Sequence, residues 1–182
     1  MKAHGVRLSG SVRQRQNPLR ARYEERPGDA WITDRGRTVW SPDLDPFHGR
    51  IRAGSHDYGL VWPFGIHRAV GGDHDLPNPG DVLSAALAAC LDSTIRIIAD
   101  RNGVVLDHLA VDVRSEVDVR GTLKVDTSVP VGFQRIKCDV SIRAADGTDP
   151  GLIRRIVAAA EHSCVNLQTL RNGVPVETTL TL

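Results

Sequence analysis

Residues 78–103, NPGDVLSAALAACLDSTIRIIADRNG, carry the strongest structural signal in this chain. Asn78 is a natural helix N-cap, a proline suits the first helical position, and Asp81 stands where the acid of a capping box belongs. Gly103 is typical of the residue that follows a helix end. The stretch therefore predicts a long buried helix. Its apolar face at helical spacing comprises Leu83, Ala86, Leu87, Cys90, Thr94 and Ile97.

Cys90 stands in the middle of this predicted helix. A buried cysteine is either a small hydrophobic residue that only packs, or a reactive thiol held away from bulk water. Asp92 and Arg96 fall near the opposite face, four residues apart, where they can pair. These two charges also argue against residues 82–99 as a membrane span.

The composition predicts one ordinary cytoplasmic domain over residues 1–182, with an N-terminal third, 1–60, and a larger part, 61–182. The net charge is +1, and arginines near the start are interspersed with acids, so we expect no nucleic-acid partner. The start of the chain has no continuous apolar segment of the kind that a signal peptide needs.

The spacing of the cysteines and histidines argues against a disulfide framework and against a metal centre. The three cysteines are an odd number and widely spaced, and the seven histidines are scattered. The sequence GGDHD at 71–75 contains potential ligands but is more typical of a polar surface loop. We expect no metal and no cofactor.

The N-terminal third predicts strands and loops. Residues 19–25, LRARYEE, alternate apolar and polar side chains like a half-buried strand, and residues 30–34, AWITD, resemble the returning strand of a hairpin. Residues 36–60 are rich in Gly, Pro, Asp and His, which predicts a long loop at a subunit interface. A short strand broken by Pro63 follows.

The remainder predicts strands, a second helix and a closing strand, so the fold class is α+β with helices packed on antiparallel sheet. Strands are expected over 109–119 and 133–144, with Cys138 in the second as a packing residue. The second helix opens at TDPGL, 148–152, and its stripe includes Ile156, Ala160 and Cys164. Residues 163–172 continue this helix or form a short one. Residues 174–182 alternate like a closing strand.

Cys90 and Cys164 both lie on inward stripes of the two main helices. Periodicity leaves two interpretations open. The helices share a core and bring the thiols within disulfide reach, which needs Cα atoms under about 7 Å apart, or the two cysteines pack independently.

Three segments carry a resemblance to a known family. Residues 78–99, NPGDVLSAALAACLDSTIRIIA, look like the first-cysteine helix of the OsmC/Ohr family of organic hydroperoxide reductases, and AAAEHSCVNLQTL, 158–170, is similar to its second-cysteine segment. VPVGFQRIKCDVSI, 129–142, resembles the strand between them. The resemblance spans residues 60–182. It implies an OsmC-like fold, with antiparallel sheets around two long central helices in an intertwined homodimer.

The resemblance implies a thiol peroxidase that needs no cofactor beyond its own cysteines. Cys90 would attack the O–O bond of an organic hydroperoxide as a thiolate and become a sulfenic acid. Cys164 would condense with it to a disulfide, which a reducing dithiol would open. The alternatives are a small-ligand-binding or structural protein of the same fold, and other thiol chemistry such as dithiol exchange.

A buried thiol needs a cation nearby to ionise, and a mid-helix position gains little from the helix dipole. The family resemblance implies an arginine in the loop before the helix, held by a glutamate. Arg68 is the best match for the arginine. Gly80 occupies the glutamate position, so we expect Asp81, or else Asp73 or Asp75, to orient Arg68. A second departure is Val165, where the better-known peroxidases have proline.

Overall fold

The computed structural model describes residues 11–54 and 60–181. Five α-helices and five strands are present in this part of the chain, in the order α1, β1, β2, β3, α2, β4, α3, β5, α4, α5, together with two short 3-10 turns. The helices are α1 (Val12–Glu25), α2 (Pro79–Arg101), α3 (Val119–Thr122), α4 (Pro150–Ser163) and α5 (Val165–Asn172). The strands are β1 (Gly36–Thr38), β2 (His48–Ala53), β3 (Trp62–Gly65), β4 (Leu106–Glu116) and β5 (Arg135–Ala144).

The strands form two antiparallel sheets, which agrees with the predicted α+β class. One sheet has the order β1-β2-β3, and the other pairs β4 with β5. Cys138 on β5 lies opposite Val113 on β4. The side chains of β4 alternate between exposed and half-buried, which is the pattern of a strand with one face on a core.

Helix α2 is the centre of the core, and it packs on β4, α4 and α5. Each residue buried in the core comes from α2, α4, α5 or the junction between the last two. They are Leu87, Leu91, Ile95, Ala99, Ile156, Ala160, Cys164 and Leu167. Among the described residues, α2 is also the one helix whose length and composition would suffice to cross a membrane. One such helix is weak evidence for a membrane span, because helices that form a protein core can have the same length and composition.

The buried stripe of α2 differs from the predicted one. The buried positions are Leu87, Leu91, Ile95 and Ala99, whereas Leu83 and Ile97 are 40% and 37% exposed. At 100° per residue, the predicted stripe is rotated away from the buried one. Helix α2 is apolar over more than half its circumference, so the sequence pattern could not say which side faces α4.

The predicted strand at 19–25 is wrong, because these residues belong to helix α1. Ser11 accepts from the Gln14 N–H, and the Gln14 side chain accepts from the Ser11 N–H, which completes a capping box. Leu, Ala, Arg and Glu are strong helix formers, and Leu19 and Tyr23 are also four residues apart, as on a helix. The helix docks on the end of α2, where the Val12 N–H donates to Asp100.

The other corrections concern segments at the two ends of the chain. Residues 31–34 form no strand, because their predicted hairpin partner is helical. The predicted loop at 36–60 contains β1 and β2, and its residues 55–59 lie outside the described residues. Residues 174–181 are exposed and pair with none of the strands that the structure describes, and a strand forms only against a neighbouring edge.

Candidate active site

The start of α2 is fixed as the sequence predicts. The Asn78 side chain accepts from the N–H groups of Gly80 and Asp81, at 2.8 and 3.2 Å. The Asp81 carboxylate in turn accepts from the Asn78 N–H at 2.9 Å. This capping box sets the register of the helix, and Cys90 therefore lies about three turns further on.

Cys90 is half-buried on the flank of the core stripe. Its carbonyl oxygen accepts from the hydroxyls of Ser93 and Thr94, at 3.0 and 2.7 Å. These bonds to the main chain pin the two hydroxyls against the helix.

Cys164 lies at the junction between α4 and α5 and is 0% exposed. It caps both helices: its N–H donates to the Ala160 carbonyl at 2.8 Å, and its carbonyl accepts from the Gln168 N–H at 2.9 Å. Burial raises the pKa of the Cys164 thiol. The N–H groups of Leu167 and Asn166, at the start of α5, point at the sulfur and partly offset this effect on the pKa.

The structure brings the two thiols together. Both cysteines are free, and the Cys90 side chain lies near enough to the Cys164 thiol to influence its pKa. This contact adds to the effect of burial in raising the pKa of Cys164, because a second sulfur nearby disfavours a thiolate. Helical periodicity is compatible with both arrangements of the two thiols, and the packing of α2 on α4 and α5 is what brings them together.

Cys138 lies apart from this pair, on β5. It borders a cleft of about 350 Å³ between the sheet and α5. Burial raises the pKa of its thiol, and Arg171 nearby partly offsets that shift. Cys138 is half-buried against the core, which agrees with the packing role predicted for it.

Arg68 lies in the short turn Arg68–Val70 before α2, and its side chain is exposed. Its guanidinium donates to the main-chain carbonyl of Asp73 at 3.4 Å. The carboxylates of the other two candidate partners bind elsewhere, since Asp81 caps α2 and Asp75 contacts His48 at 3.2 Å. That Arg68 activates Cys90, with Asp81 orienting it, stays a prediction.

A scan against protein-family models matches the family of OsmC-like proteins over residues 72–179, which is more than half of the chain. The chain belongs to the OsmC-like family. The matched range includes the capping box of α2, both contacting cysteines and the β4–β5 sheet. A search of curated proteins found no match.

Solved structures share the fold of this OsmC-like chain at low sequence identity. An OsmC-like protein from Mycoplasma pneumoniae has a TM-score of 0.61 and 15% identity, covering 78% of this chain and 89% of its own. An OsmC-like protein of unknown function from Vibrio cholerae has a TM-score of 0.62 and 10% identity, covering 76% and 94%. An organic hydroperoxide resistance protein from Legionella pneumophila has a TM-score of 0.56 and 19% identity, covering 79% and 92%.

The OsmC-like chain carries a groove of about 1210 Å³ beside the first turns of α2. Strand β4, the turn after β3 and the segment before β5 form its other walls. The lining is mainly apolar but includes two histidines and the end of the capping box. Residues that represent each wall are His67, His74, Leu83, Val113, Val131 and Phe133.

Gly80, at the position where the family resemblance implies glutamate, lines this groove, and a side chain there would require its neighbours to shift. A Cβ atom there would lie 3.0 Å from Phe133 Cζ and 2.9 Å from Asn78 Oδ1. The Phe133 ring therefore occupies the space into which a side chain at position 80 would project. Sequence reasoning missed this contact, because 53 residues separate the two positions and neither carries a local signal.

Proposed function

We propose that this OsmC-like chain is a cytoplasmic thiol peroxidase that reduces organic hydroperoxides through Cys90, with Cys164 as the resolving thiol. The observation that carries the proposal is the contact between the two side chains. Two free cysteines from distant segments, one half-buried and one fully buried, are what a two-step thiol peroxidase needs. The printed name of the Legionella protein with this fold, an organic hydroperoxide resistance protein, also supports it.

The reaction balances with these two thiols and one external dithiol. The Cys90 thiolate attacks one peroxide oxygen and the O–O bond breaks, which gives Cys90 sulfenic acid and, after protonation of the other oxygen, an alcohol. The Cys164 sulfur then attacks the Cys90 sulfur and releases water, forming a disulfide. A reducing dithiol opens this disulfide and becomes a disulfide itself.

The start of α5 can assist the disulfide steps. The N–H groups of Asn166 and Leu167 point at the Cys164 sulfur, and such donors favour the thiolate form. They would stabilise Cys164 both when it attacks and when it leaves during reduction. Arg68 is proposed as the cation for Cys90, held through its bond to the Asp73 carbonyl.

We propose further that the working unit is a homodimer. Leu83, Ile97 and Trp62 are each more than a third exposed in the single chain, and Trp31 is 88% exposed. Exposed apolar surface of this extent on a soluble protein marks an interaction site. Sedimentation at micromolar concentration should show a dimer, and a stable folded monomer would contradict this proposal.

The central experiment measures peroxide consumption with a dithiol as the reductant. We expect wild-type protein to consume cumene hydroperoxide faster than hydrogen peroxide, because the surroundings of Leu83 and Leu87 are apolar. Cys90→Ser should abolish turnover. Cys164→Ser should allow one oxidation of Cys90 but no disulfide, observable by mass spectrometry. Cys138→Ser is the matched control, and its activity should equal that of the wild type.

A second candidate function is the binding of a small apolar ligand without turnover. The observation that favours it is Phe133 against Gly80, because the chain lacks the glutamate that the peroxidase resemblance implies and has a groove in its vicinity. If fully reduced wild-type protein consumes neither peroxide, the peroxidase proposal fails. Dithiol exchange without peroxide reduction would then appear as reduction of a model disulfide.

A further inference from the structure

His48, the first residue of β2, lies between two carboxylates from different parts of the chain. Its Nδ1 atom is 3.0 Å from both oxygens of Asp45, three residues earlier. Its Nε2 atom is 3.2 Å from both oxygens of Asp75, in the loop before α2. The same loop contains Arg68, so this histidine links the N-terminal sheet to the proposed activating residue.

The chemistry of the three groups requires a doubly protonated ring. An ionised carboxylate can only accept hydrogen bonds, so each nitrogen that faces one must carry a proton. A neutral imidazole has one N–H and can satisfy only Asp45 or Asp75. In agreement, the hydrogen bond to Asp45 raises the pKa of His48 most, and the hydrogen bond to Asp75 raises it further. The bond from His48 also holds the pKa of Asp45 below its usual value.

The backbone around His48 is built to let Asp75 approach. Gly65, the last residue of β3, lies opposite His48 in the sheet and is buried. A Cβ atom at Gly65 would lie 3.1 Å from an Asp75 carboxylate oxygen and 3.3 Å from Leu76 Cβ. The Gly65 N–H also donates to the Pro77 carbonyl at 3.1 Å. A glycine at this position therefore allows the loop to lie against the strand.

Several other charged or titratable groups of β2 and of the loop between β3 and α2 contact residues other than His48. On β2, Arg50 pairs with Asp43 at 3.2 Å. In the loop, the rings of His67 and His74 contact each other, 4.3 Å apart. Arg68 reaches the Asp73 carbonyl, as described above. Within the part of the chain that the structure describes, Asp45 and Asp75 are thus the charges that bear on His48.

We propose that His48 is a positioning residue, which fastens the loop that carries Arg68 to strand β2 by donating to Asp45 and Asp75 at once. Its importance for catalysis rests on the proposed function of Arg68. When His48 loses one proton, it should keep the shorter, local bond to Asp45 and release Asp75. The loop is then held by its main-chain bonds alone.

The sign of the pH dependence follows from the raised pKa of His48. The stabilisation that protonated His48 gives by bonding both carboxylates is fully present below its unfolded pKa of about 6.5. It is lost as the pH rises through the higher pKa of His48 in the folded protein. The side chains of His48 and Asp75 are 24% and 52% exposed. Such a solvent-exposed pair contributes little to global stability, so its effect should be on the position of the loop.

The first test does not depend on activity. NMR titration of the whole protein should give a pKa of His48 above 6.5, and Asp75→Asn should lower it. Hydrogen exchange at the Gly72 and His74 amides, normalised for intrinsic rates, should be several-fold faster in His48→Gln than in the wild type at pH 6. The wild type should approach the variant at high pH. An unshifted pKa, or equal exchange in both proteins at pH 6, overturns the proposal.

Two control variants distinguish the loss of the His48–Asp75 contact from a general destabilisation of the protein. His108→Gln changes an exposed histidine on β4 and should leave exchange in the loop unchanged. The double variant His48→Gln/Asp75→Asn should exchange no faster than either single variant, because both remove one contact. Additive effects would show that the two residues act separately and would overturn the proposal.

The second test measures the pH profile of peroxide consumption in wild type, His48→Gln and His108→Gln. We expect wild type and His108→Gln to lose rate as the pH rises through the His48 pKa, and His48→Gln to lack this step. Identical profiles in an active enzyme overturn the positioning role. If no protein has turnover while the exchange results hold, the peroxidase proposal fails and the link between His48 and Asp75 is supported.

Discussion

The two halves of the chain use their apolar residues in opposite ways. Between residues 87 and 167, apolar side chains pack into a core, and eight residues are buried. Between residues 11 and 65, the structure describes Trp31, Ile32 and Trp40 as 88%, 78% and 82% exposed. Among the described residues, the buried core therefore belongs to the C-terminal half, and the N-terminal part leaves large apolar side chains exposed.

This difference bears on how the site is assembled. The thiols belong to the helices of the core, whereas the loop with Arg68 is tied to the β1-β2-β3 sheet through His48 and Gly65. A sheet of three short strands with little apolar burial of its own is not stable independently. The position of Arg68 relative to Cys90 therefore depends on contacts that the N-terminal sheet makes beyond its own strands, and a second copy of the chain is the proposed source.

The largest effect should come from the centre of the core. Ile95 is 0% exposed on α2, and Ile95→Ala should lower the free energy of unfolding by about 2–5 kcal/mol, because it removes buried contacts and leaves a cavity. Urea denaturation measures this loss. Ile95→Val is the conservative control and should cost roughly 0.5–1.5 kcal/mol. A loss within experimental error for Ile95→Ala would contradict the assignment of the core.

The next effect tests whether the two halves cooperate in catalysis. Arg68→Ala should slow the reaction of Cys90 with cumene hydroperoxide by roughly a hundredfold, the order seen when one charge-stabilising group is removed. The alkylation of Cys90 by a neutral reagent under denaturing conditions should not change.

Arg96→Ala is the matched control, since this arginine is exposed on α2 and pairs with Asp92. Its peroxide rate should equal that of the wild type. An equal slowing by both variants would show a general effect of lost positive charge and would remove Arg68 from the mechanism.

A smaller loss of stability should follow a substitution at Gly80, at the start of α2 beside the groove. Gly80→Ala should destabilise by about 1–2 kcal/mol, because the new Cβ would lie 3.0 Å from Phe133 Cζ. In a Phe133→Leu background, the same change should cost less, since the contact with Asn78 Oδ1 at 2.9 Å remains but the ring is gone and alanine is the better helix former. Thermal unfolding of the four proteins forms a double-mutant cycle. A cost that is equal in both backgrounds would show that Phe133 is not the obstacle.

The smallest effect should be on association. Ile32→Ala removes an exposed side chain that, in the proposed dimer, becomes covered, so the dimer should weaken by roughly 1 kcal/mol or about fivefold in dissociation constant. Dilution sedimentation measures it. Asp34→Ala, two residues further along the same segment, controls for a change of the segment itself. An unchanged dissociation constant for Ile32→Ala would place the interface elsewhere.

Local signals in the sequence predicted the C-terminal half well. The capping box and proline at the start of α2, the Asp92–Arg96 pair, the alternation in β4 and the proline at the start of α4 are all present as expected. Each of these features depends on residues within a few positions of one another. The family resemblance rests on the same segments, and the family match confirms it.

The errors fall where a short pattern fits two structures. Seven alternating residues at 19–25 also fit a helix, and the capping box at Ser11 decides for helix. The alternation at 174–182 predicts a strand, but residues 174–181 have no strand beside them in the single chain. The residues of a segment set its local preference for helix or strand. A strand also needs a neighbouring strand, which the segment itself cannot supply.

The helices around the two cysteines, their caps and the family can be predicted from the amino acids alone, because they follow from backbone hydrogen bonding and side-chain periodicity over short distances. Three contacts appear only in the folded chain: Cys90 lies near Cys164, Phe133 fills the space beside Gly80, and His48 faces Asp75. Each of these contacts joins residues at least 27 positions apart. Their geometry depends on how elements pack, which no local pattern specifies.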